Sequence, residues 1–186
     1  MKSTRNTHHR WSVFVILMLL SANLRAQVTD LPFPQSWFGK WQGNLEILQV
    51  DSVTQRVPMQ LRIGPTTTPD QFEWTIIYGD TLNGRRSYLL KTIDAKQGLY
   101  VIDEQNGIQL ESYYLGGVFL SWFEVVGNQL LTRIERQDGI LHWEVISGKM
   151  EPVSTTGDVV IGQDTIPPVT SYPIHRRQRA RLVRLP

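Results

Sequence analysis

Short β-rich segments of this chain are separated at close intervals by glycine-containing turns. This spacing restricts the chain to a small number of folds. The turns are Asn83-Gly84, Asn106-Gly107, Gly116-Gly117, Gly127-Asn128 and Asp138-Gly139. These residue types tolerate the positive φ angles that tight hairpins require. No segment repeats its apolar residues with the 3.6-residue period of an amphipathic helix. The sequence therefore predicts an antiparallel meander.

Nine strands are predicted between these turns. They cover residues 40–50, 56–64, 72–79, 85–93, 97–104, 107–115, 117–126, 129–136 and 139–147. A meander of this length closes into a barrel or folds into a sandwich. Residues 27–147 are therefore predicted as one β domain. Residues 148–171, rich in Pro, Thr and Gly, are predicted as a connection with a short strand at 159–161, followed by a basic strand or tail at 172–186.

The later turns also predict which residues are buried. If Asp138-Gly139 is a two-residue turn, Glu135 lies opposite His142 and Ile134 lies opposite Trp143. Treating the three preceding turns in the same way yields one continuous apolar face, because side chains alternate along a strand. Its members are Leu99, Val101, Ile108, Leu110, Tyr114, Phe119, Phe123, Val125, Leu130, Ile134, Leu141, Trp143 and Val145.

Two parts of this pattern are less regular. The hairpin at Asn83-Gly84 fits an odd-length loop best, since that loop places Trp74 and Tyr88 on the same face. The opposite face of the sheet is not wholly polar. It is predicted to hold the apolar or aromatic side chains of Tyr100, Ile102, Tyr113, Leu120 and Trp122.

The amino terminus has the three parts of a secretory signal peptide. Lys2, Arg5 and Arg10 form a basic start, residues 11–20 are almost wholly apolar, and a polar stretch ends at Ala26. The apolar run is about half of the roughly 20 residues in a transmembrane helix, which favours a cleaved signal over a retained anchor. We expect cleavage of residues 1–26 and a bacterial exported protein, either periplasmic or extracellular.

Removal of that segment changes the charge of the chain. The full sequence carries 19 basic and 17 acidic residues, and four of the basic ones lie in residues 1–26. The mature chain is therefore slightly acidic and lacks the broad positive face of a nucleic-acid binder. No cysteine is present, which excludes disulfides, thiolate metal sites and cysteine nucleophiles.

Five arginines of the chain cluster between residues 176 and 184, and they allow two interpretations. Ala180 and Leu182 alternate with them, which favours a final edge strand whose charges pair with the acidic body and discourage edge-to-edge aggregation. The second interpretation is an electrostatic contact with a membrane surface or an acidic partner. The acidity of the rest of the chain favours the first.

A short motif in the first mature strand resembles one that opens the lipocalins. Gly39-Lys40-Trp41 has the G-x-W pattern, about a dozen residues after the expected cleavage site. Together with the strand count and the export signal, it makes the chain resemble the lipocalin-like (calycin) proteins. The resemblance implies an all-β fold, a single antiparallel up-and-down meander closing into a lipocalin-like barrel, with a β-sandwich as the alternative.

The resemblance also implies a role for Trp41. In lipocalins this tryptophan plugs the closed end of the barrel, and an arginine of the last strand packs over it. That arginine would come from the cluster at residues 176–184, and the sequence does not indicate which one. The chain departs from the family pattern in having no disulfide, no clear carboxy-terminal helix and more than eight strands.

Signatures of catalysis and of metal binding are missing from the sequence. Beyond the predicted signal, His142 and His175 are the histidines, and neither has a partner histidine two or four residues away. A zinc or iron site needs three or four converging ligands. No G-x-S-x-G nucleophile elbow occurs, and the glycine turns lead into no helix, unlike a phosphate-binding loop. We predict no catalytic residues, no metal and no cofactor.

Binding is the function that the predicted architecture favours. A closed barrel with an apolar interior either fills itself or holds one small apolar ligand. The candidate ligand-binding residues are Trp74, Tyr88, Tyr114, Phe123 and Trp143. Plain core packing is the alternative for each of them. A second class of function, contact with a partner through the outer face at Tyr113, Leu120 and Trp122 or through the basic tail, also remains open.

Overall fold

The computed structural model describes residues 31–79 and 82–186. The signal peptide predicted over residues 1–26 lies outside the described residues. Ten antiparallel strands form a closed barrel in the order β1-β14-β9-β8-β7-β6-β5-β4-β3-β2. They are β1 (Gly39–Gln49), β2 (Ser52–Pro65), β3 (Gln71–Tyr78), β4 (Arg85–Asp94), β5 (Leu99–Asp103), β6 (Gln109–Leu115), β7 (Val118–Val125), β8 (Asn128–Gln137), β9 (Ile140–Lys149) and β14 (Ile174–Arg184).

Four short strands lie outside the barrel, between β9 and β14. They are β10 (Ser154–Thr156), β11 (Val159–Ile161), β12 (Asp164–Ile166) and β13 (Val169–Ser171). Two short 3-10 turns, Gln35–Trp37 and Leu82–Gly84, precede β1 and β4 respectively. All nine predicted strands are present, and the chain forms a barrel and not the alternative sandwich.

The barrel forms because alternate residues of its strands are apolar and point to one side. Buried residues from nine of the ten barrel strands and from the segment before β1 make one core. Its apolar members are Phe33, Trp37, Trp41, Leu45, Met59, Leu61, Ile63, Trp74, Ile76, Leu90, Tyr100, Ile102, Phe119, Ile134, Leu141, Trp143, Ala180 and Leu182. Full burial of one large apolar side chain contributes about 1.5–3 kcal/mol, so this set is the main source of stability.

Two of the predicted hairpin registers are confirmed. Ile134 pairs with Trp143 across the Asp138-Gly139 turn, and Leu115 pairs with Val118 across Gly116-Gly117. Asp138 has φ 51° and Gly139 has φ 76°, the left-handed conformations that a two-residue hairpin turn needs. The odd-length loop before β4 is also confirmed, since Trp74 pairs with Tyr88.

The turn between β7 and β8 differs from the predicted one. It consists of Val126 and Gly127, with φ angles of 49° and 68°, and Phe123 consequently pairs with Leu130. A left-handed β-branched residue is unusual, which is why the sequence pointed to Asn128 in its place. The register moves by an even number of residues, so the side chains remain on the predicted faces.

The connection between β5 and β6 overturns part of the predicted buried face. Asp103 pairs with Gln109, so residues 104–108 form a five-residue loop and not a two-residue turn at Asn106-Gly107. The resulting odd shift in register reverses the faces of β5. Tyr100 and Ile102, predicted on the outer face, are buried inside the barrel. Leu99 and Val101 lie on the outer face instead.

Two other members of the predicted face are exposed for a simpler reason. Ile108 lies in the β5–β6 loop, and Val125 ends β7 beside its turn. Their side chains are 46% and 45% exposed respectively. Each residue has the predicted spacing from its neighbours but lies at an open rim, where no opposing strand covers it.

The basic carboxy-terminal segment is a barrel strand and not an edge. β14 pairs with β9 on one side and with β1 on the other, so it closes the barrel. The barrel therefore extends beyond residue 147, with residues 150–173 inserted before its last strand. Because β14 is paired along both sides, it has no open edge, and its arginines have no role in preventing edge-to-edge aggregation.

The insertion forms an extended hairpin, which we call the arm (residues 150–173). β10 pairs with β13, and β11 pairs with β12 nearer the tip. Every side chain from residue 151 to residue 172 is exposed. The predicted short strand at 159–161 is confirmed as β11.

Candidate functional site

One end of the barrel is closed around Trp41. This side chain is fully buried, and its indole Nε1 donates a hydrogen bond to the Trp37 carbonyl oxygen at 2.8 Å. Arg184, in the last strand, has its guanidinium carbon 5.9 Å from the centroid of the Trp41 ring. The pairing of β1 with β14 sets Trp41 opposite Arg184, which explains why this arginine, among the five, reaches the ring.

The segment before β1 fills the same end with aromatic side chains. Phe33 stacks on Tyr114 with ring centroids 4.3 Å apart, and it meets Trp37 and Tyr100 edge to face. The Arg136 guanidinium donates to the Ser36 carbonyl oxygen at 2.9 Å and fastens this segment to β8. We call residues 32–38 the plug, because Phe33 and Trp37 of this segment are buried in the core beside Trp41.

A cavity of about 260 Å³ lies in the barrel toward the other end. Its wall is mostly aliphatic and aromatic, with few polar groups. The lining residues are Trp74, Ile76, Tyr78, Tyr88, Ile102, Glu104, Leu110, Phe119, Ser121, Phe123, Leu130, Thr132, Ile134, Trp143, Val145 and Gln178. An apolar concave surface with a few placed polar groups is typical of a site for a small molecule.

The structure brings four of the five predicted ligand-binding residues to this cavity. Trp74, Tyr88, Phe123 and Trp143 all line it, and they come from four different strands. Tyr114 lies elsewhere, stacked on Phe33 in the plug. Its inward orientation follows from the predicted register, but the plug covers it.

Tyrosine hydroxyls and one carboxylate mark the rim of the cavity. Burial, followed by the nearby Tyr88, raises the pKa of Tyr78 to about 12. Burial also raises the pKa of the Tyr88 hydroxyl, and the adjacent Glu104 carboxylate adds to that effect. Both hydroxyls therefore stay protonated at neutral pH, and that of Tyr88 already faces the Glu104 carboxylate as a hydrogen-bond donor.

The polar groups deeper in the wall are less free to bind. The Ser121 hydroxyl is already bonded to that of Ser112, with their oxygens 2.7 Å apart. Gln178 and Thr132 also line the cavity, and Gln178 comes from the strand that closes the barrel. The arrangement can hold a small apolar body and orient it through polar contacts near the rim.

A second depression, of about 670 Å³, lies on the outer surface across β8, β9, β14 and β1. It is lined mainly by arginines and glutamates, which pair with one another. Arg177 lies 2.5 Å from Glu144, and Arg179 lies 3.0 Å from Glu46. Arg179 and then Arg56 hold the pKa of Glu46 below its usual range. Two of the five arginines of β14 are thus paired with glutamates of the neighbouring strands.

Apolar side chains also occupy part of the outer surface. Tyr113 pairs with Leu120 across β6 and β7, and Trp122 pairs with Leu131 across β7 and β8. Trp122 is 70% exposed. We call Tyr113, Leu120, Trp122 and Leu131 the outer patch; the alternation in the sequence predicts the first three on this face.

Several residues at the cavity escaped sequence analysis. Glu104 lies in the loop directly after β5, and Gln178 is a polar residue among arginines, so neither belongs to an apolar pattern. Phe33 and Trp37 of the plug precede the first strand and have no periodicity to reveal them. Tyr78 lies four residues after Trp74 in β3, so both side chains point to the same face of the strand. This alternation was the one signal in the sequence.

Comparisons with known proteins add no assignment. No protein-family model matches the chain, and no curated protein is detectably similar to it in sequence. Among residues 31–79 and 82–186, no three His, Asp or Glu side chains are grouped closely enough to hold a metal ion. In those same ranges no helix has the length and hydropathy needed to span a bilayer.

Proposed function

We propose that this protein is an exported lipocalin-like carrier that binds one small apolar ligand inside its barrel. The cavity carries the proposal, because it combines an apolar wall with a few polar groups in a barrel whose other end is closed. The four predicted aromatic residues at the cavity supply large contact areas at low conformational cost. Export, predicted from residues 1–26, would give such a carrier access to molecules outside the cytoplasm.

The lipocalin-like assignment is supported by the geometry of the closed end. Gly39 and Trp41 begin the first barrel strand, and an arginine of the last strand lies over Trp41. A G-x-W tryptophan covered by an arginine of the last strand is the arrangement that the resemblance to lipocalins implies. The barrel of ten strands is larger than the eight of the family pattern, so the proposal rests on the closed end and on the meander.

A titration with a neutral aromatic probe tests the binding proposal. We expect 1-naphthalenemethanol to bind the mature protein and to quench tryptophan fluorescence, since Trp74 and Trp143 lie in the wall. Thr132→Phe would fill the cavity and abolish binding. Thr54→Phe makes the same change at an exposed site on β2 and should leave binding intact.

The result of that titration is decisive in either direction. Probe binding that survives in Thr132→Phe would place the probe outside the cavity and overturn the proposal. If Thr132→Phe does not fold, Leu130→Trp reduces the cavity with a smaller change in polarity and serves in its place. Absence of binding to a folded wild-type protein would also overturn the proposal.

A second candidate function is self-association through the outer patch and the arm. The arm exposes Val159, Val160 and Ile161, and a two-stranded hairpin has little stability of its own in water. It carries Glu151, Asp158 and Asp164, with no basic residue between Lys149 and Arg176 other than His175.

A second copy of this chain offers a surface that matches the arm. The outer patch is apolar, and Arg133, which lies opposite Leu120 in the sheet and borders the patch, is already paired with Glu135 at 2.6 Å. Contact between these two exposed apolar surfaces favours the arm of one copy on the patch of another. Light scattering after gel filtration tests this: Trp122→Asp and Val160→Asp should each convert a dimer to a monomer. A monomeric wild type would overturn the second candidate.

A further inference from the structure

The volume of the cavity limits the size of its ligand. At about 260 Å³ it exceeds the roughly 150 Å³ of an engineered protein cavity that holds benzene. On that scale it holds about two fused rings, or roughly ten heavy atoms. A long acyl chain exceeds this volume and would have to extend beyond the lining residues.

The charge of the lining limits the chemistry of the ligand. Glu104 is the one charged residue among those that line the cavity. It follows the end of β5, where its backbone N–H donates to the Ile108 carbonyl oxygen at 3.0 Å. This bond within the five-residue loop holds the Glu104 backbone at the rim of the cavity.

No cation of the described barrel neutralises Glu104. Its carboxylate takes part in none of the ion pairs found within residues 31–79 and 82–186. Its partners are neutral: Oε2 accepts a hydrogen bond from the Asn106 amide at 3.2 Å, and the Tyr88 hydroxyl faces the same carboxylate. The nearby Arg86 guanidinium instead donates to the carbonyl oxygens of Asn83 and Arg85, at 2.9 and 3.1 Å.

We propose that the ligand is a compact aromatic or alicyclic amine, whose ammonium group meets the Glu104 carboxylate at the rim. This inference rests on the proposed function, since it assigns a ligand class to the same cavity. The ring system lies among Trp74, Phe123 and Trp143, and the tyrosine hydroxyls at the rim surround the amine. A ligand carboxylate would face Glu104 with no lining cation to balance it, which disfavours fatty acids on charge as well as on size.

Probes that share one ring system separate the effect of ligand charge from the effect of ligand size. Calorimetry at pH 7 and low salt would compare 1-naphthylmethylamine, 1-naphthalenemethanol and 1-naphthoate, with oleate as the long-chain lipid. We expect the amine to bind at least about tenfold more tightly than the alcohol, a difference of about 1.4 kcal/mol. Naphthoate should bind more weakly than the alcohol, and oleate should not bind.

Variants at the rim show whether Glu104 causes the preference. Glu104→Gln should weaken binding of the amine about tenfold and so remove its advantage over the alcohol, measured on the same variant. Glu111→Gln, an exposed glutamate on the outer face of β6, should change neither affinity.

The outcomes distinguish the inference from the proposed function. Binding of the alcohol without preference for the amine would overturn the amine assignment and leave the carrier function standing, as would tighter binding of naphthoate. Binding of oleate would overturn the size limit. Failure of all four compounds to bind a folded protein would overturn both proposals.

Discussion

Arg184 lies over the ring of Trp41, with 5.9 Å between the guanidinium carbon and the ring centroid. The two residues belong to the last and first strands of the barrel, which pair directly with each other. A contact between the ends of the β domain forms only when the barrel closes. Arg184 therefore covers Trp41 only in the fully folded protein, after β14 has paired with β1.

Removal of the Arg184 side chain should destabilise the protein through this contact. A cation over an aromatic ring contributes about 0.5–1 kcal/mol at an exposed site, and the aliphatic stem adds packing. We expect Arg184→Ala to lower the free energy of unfolding by about 1 kcal/mol in urea denaturation. Arg176→Ala, at an exposed position of the same strand, should change it by less than about 0.5 kcal/mol. Equal losses in the two variants would contradict this account.

Gly43 lets the first and last strands approach closely. A Cβ atom at this position would collide with the backbone carbonyl oxygen of Arg181 in β14. Gly43→Ala should therefore cost about 1–3 kcal/mol of unfolding free energy, because a backbone must move to accommodate it. In Gly64→Ala the added Cβ meets the Glu73 carboxylate at an ordinary 3.8 Å, so thermal unfolding should differ little from wild type. A stable Gly43→Ala protein would show that the β1–β14 spacing is not tight.

Alkaline titration should reveal the buried tyrosine at the cavity. The pKa of Tyr78 is raised from 10.0 to about 12, so above pH 10 the folded state binds a proton that the unfolded state has lost. The contribution is complete below pH 10 and is lost as the pH rises toward 12, with a total of about 2–3 kcal/mol. We expect unfolding free energies to fall over this window in the wild type and to fall less in Tyr78→Phe.

Absorbance of tyrosinate provides the site-specific check of that prediction. Tyr78→Phe should remove the latest part of the tyrosine titration, and Tyr172→Phe on the arm should leave that part in place. A late step that persists in Tyr78→Phe would assign it to another tyrosine.

The arm and the closing strand should differ sharply in their importance for folding. All side chains from residue 151 to residue 172 are exposed, so replacing residues 153–172 by a short glycine-rich turn removes little buried surface. We expect that variant to keep the β-sheet circular dichroism spectrum and to melt within a few degrees of wild type. Deletion of Ile174–Arg184 instead opens the barrel between β9 and β1 and exposes two strand edges. This protein should aggregate, and a soluble folded product would contradict the closed-barrel account.

The sequence was sufficient to predict the strands and most of the inward residues, because alternation and glycine turns are local signals. It failed where a loop length decides the face. Tyr100 points into the barrel and Leu99 points outward, the reverse of the prediction, because the loop between β5 and β6 has five residues (104–108). Nothing in Asn106-Gly107 distinguishes such a loop from a two-residue turn.

Pairing between strands distant in sequence was the second feature that the sequence could not predict. Arg184 alternates with four similar arginines, and only the register of β14 against β1 selects it for Trp41. Glu104 stands among polar loop residues and has no sequence pattern. The cavity itself depends on volumes left between side chains of many strands, which no single strand encodes.

Native mass spectrometry of the protein purified from its own host tests the central claim most directly. The account predicts a reproducible small-molecule adduct that is released on denaturation. The adduct should be depleted in Phe123→Ala, inside the barrel, and retained in Trp122→Ala, whose side chain is on the outer face. A bare protein mass that also takes up none of the naphthalene probes would contradict the claim that the barrel is a carrier.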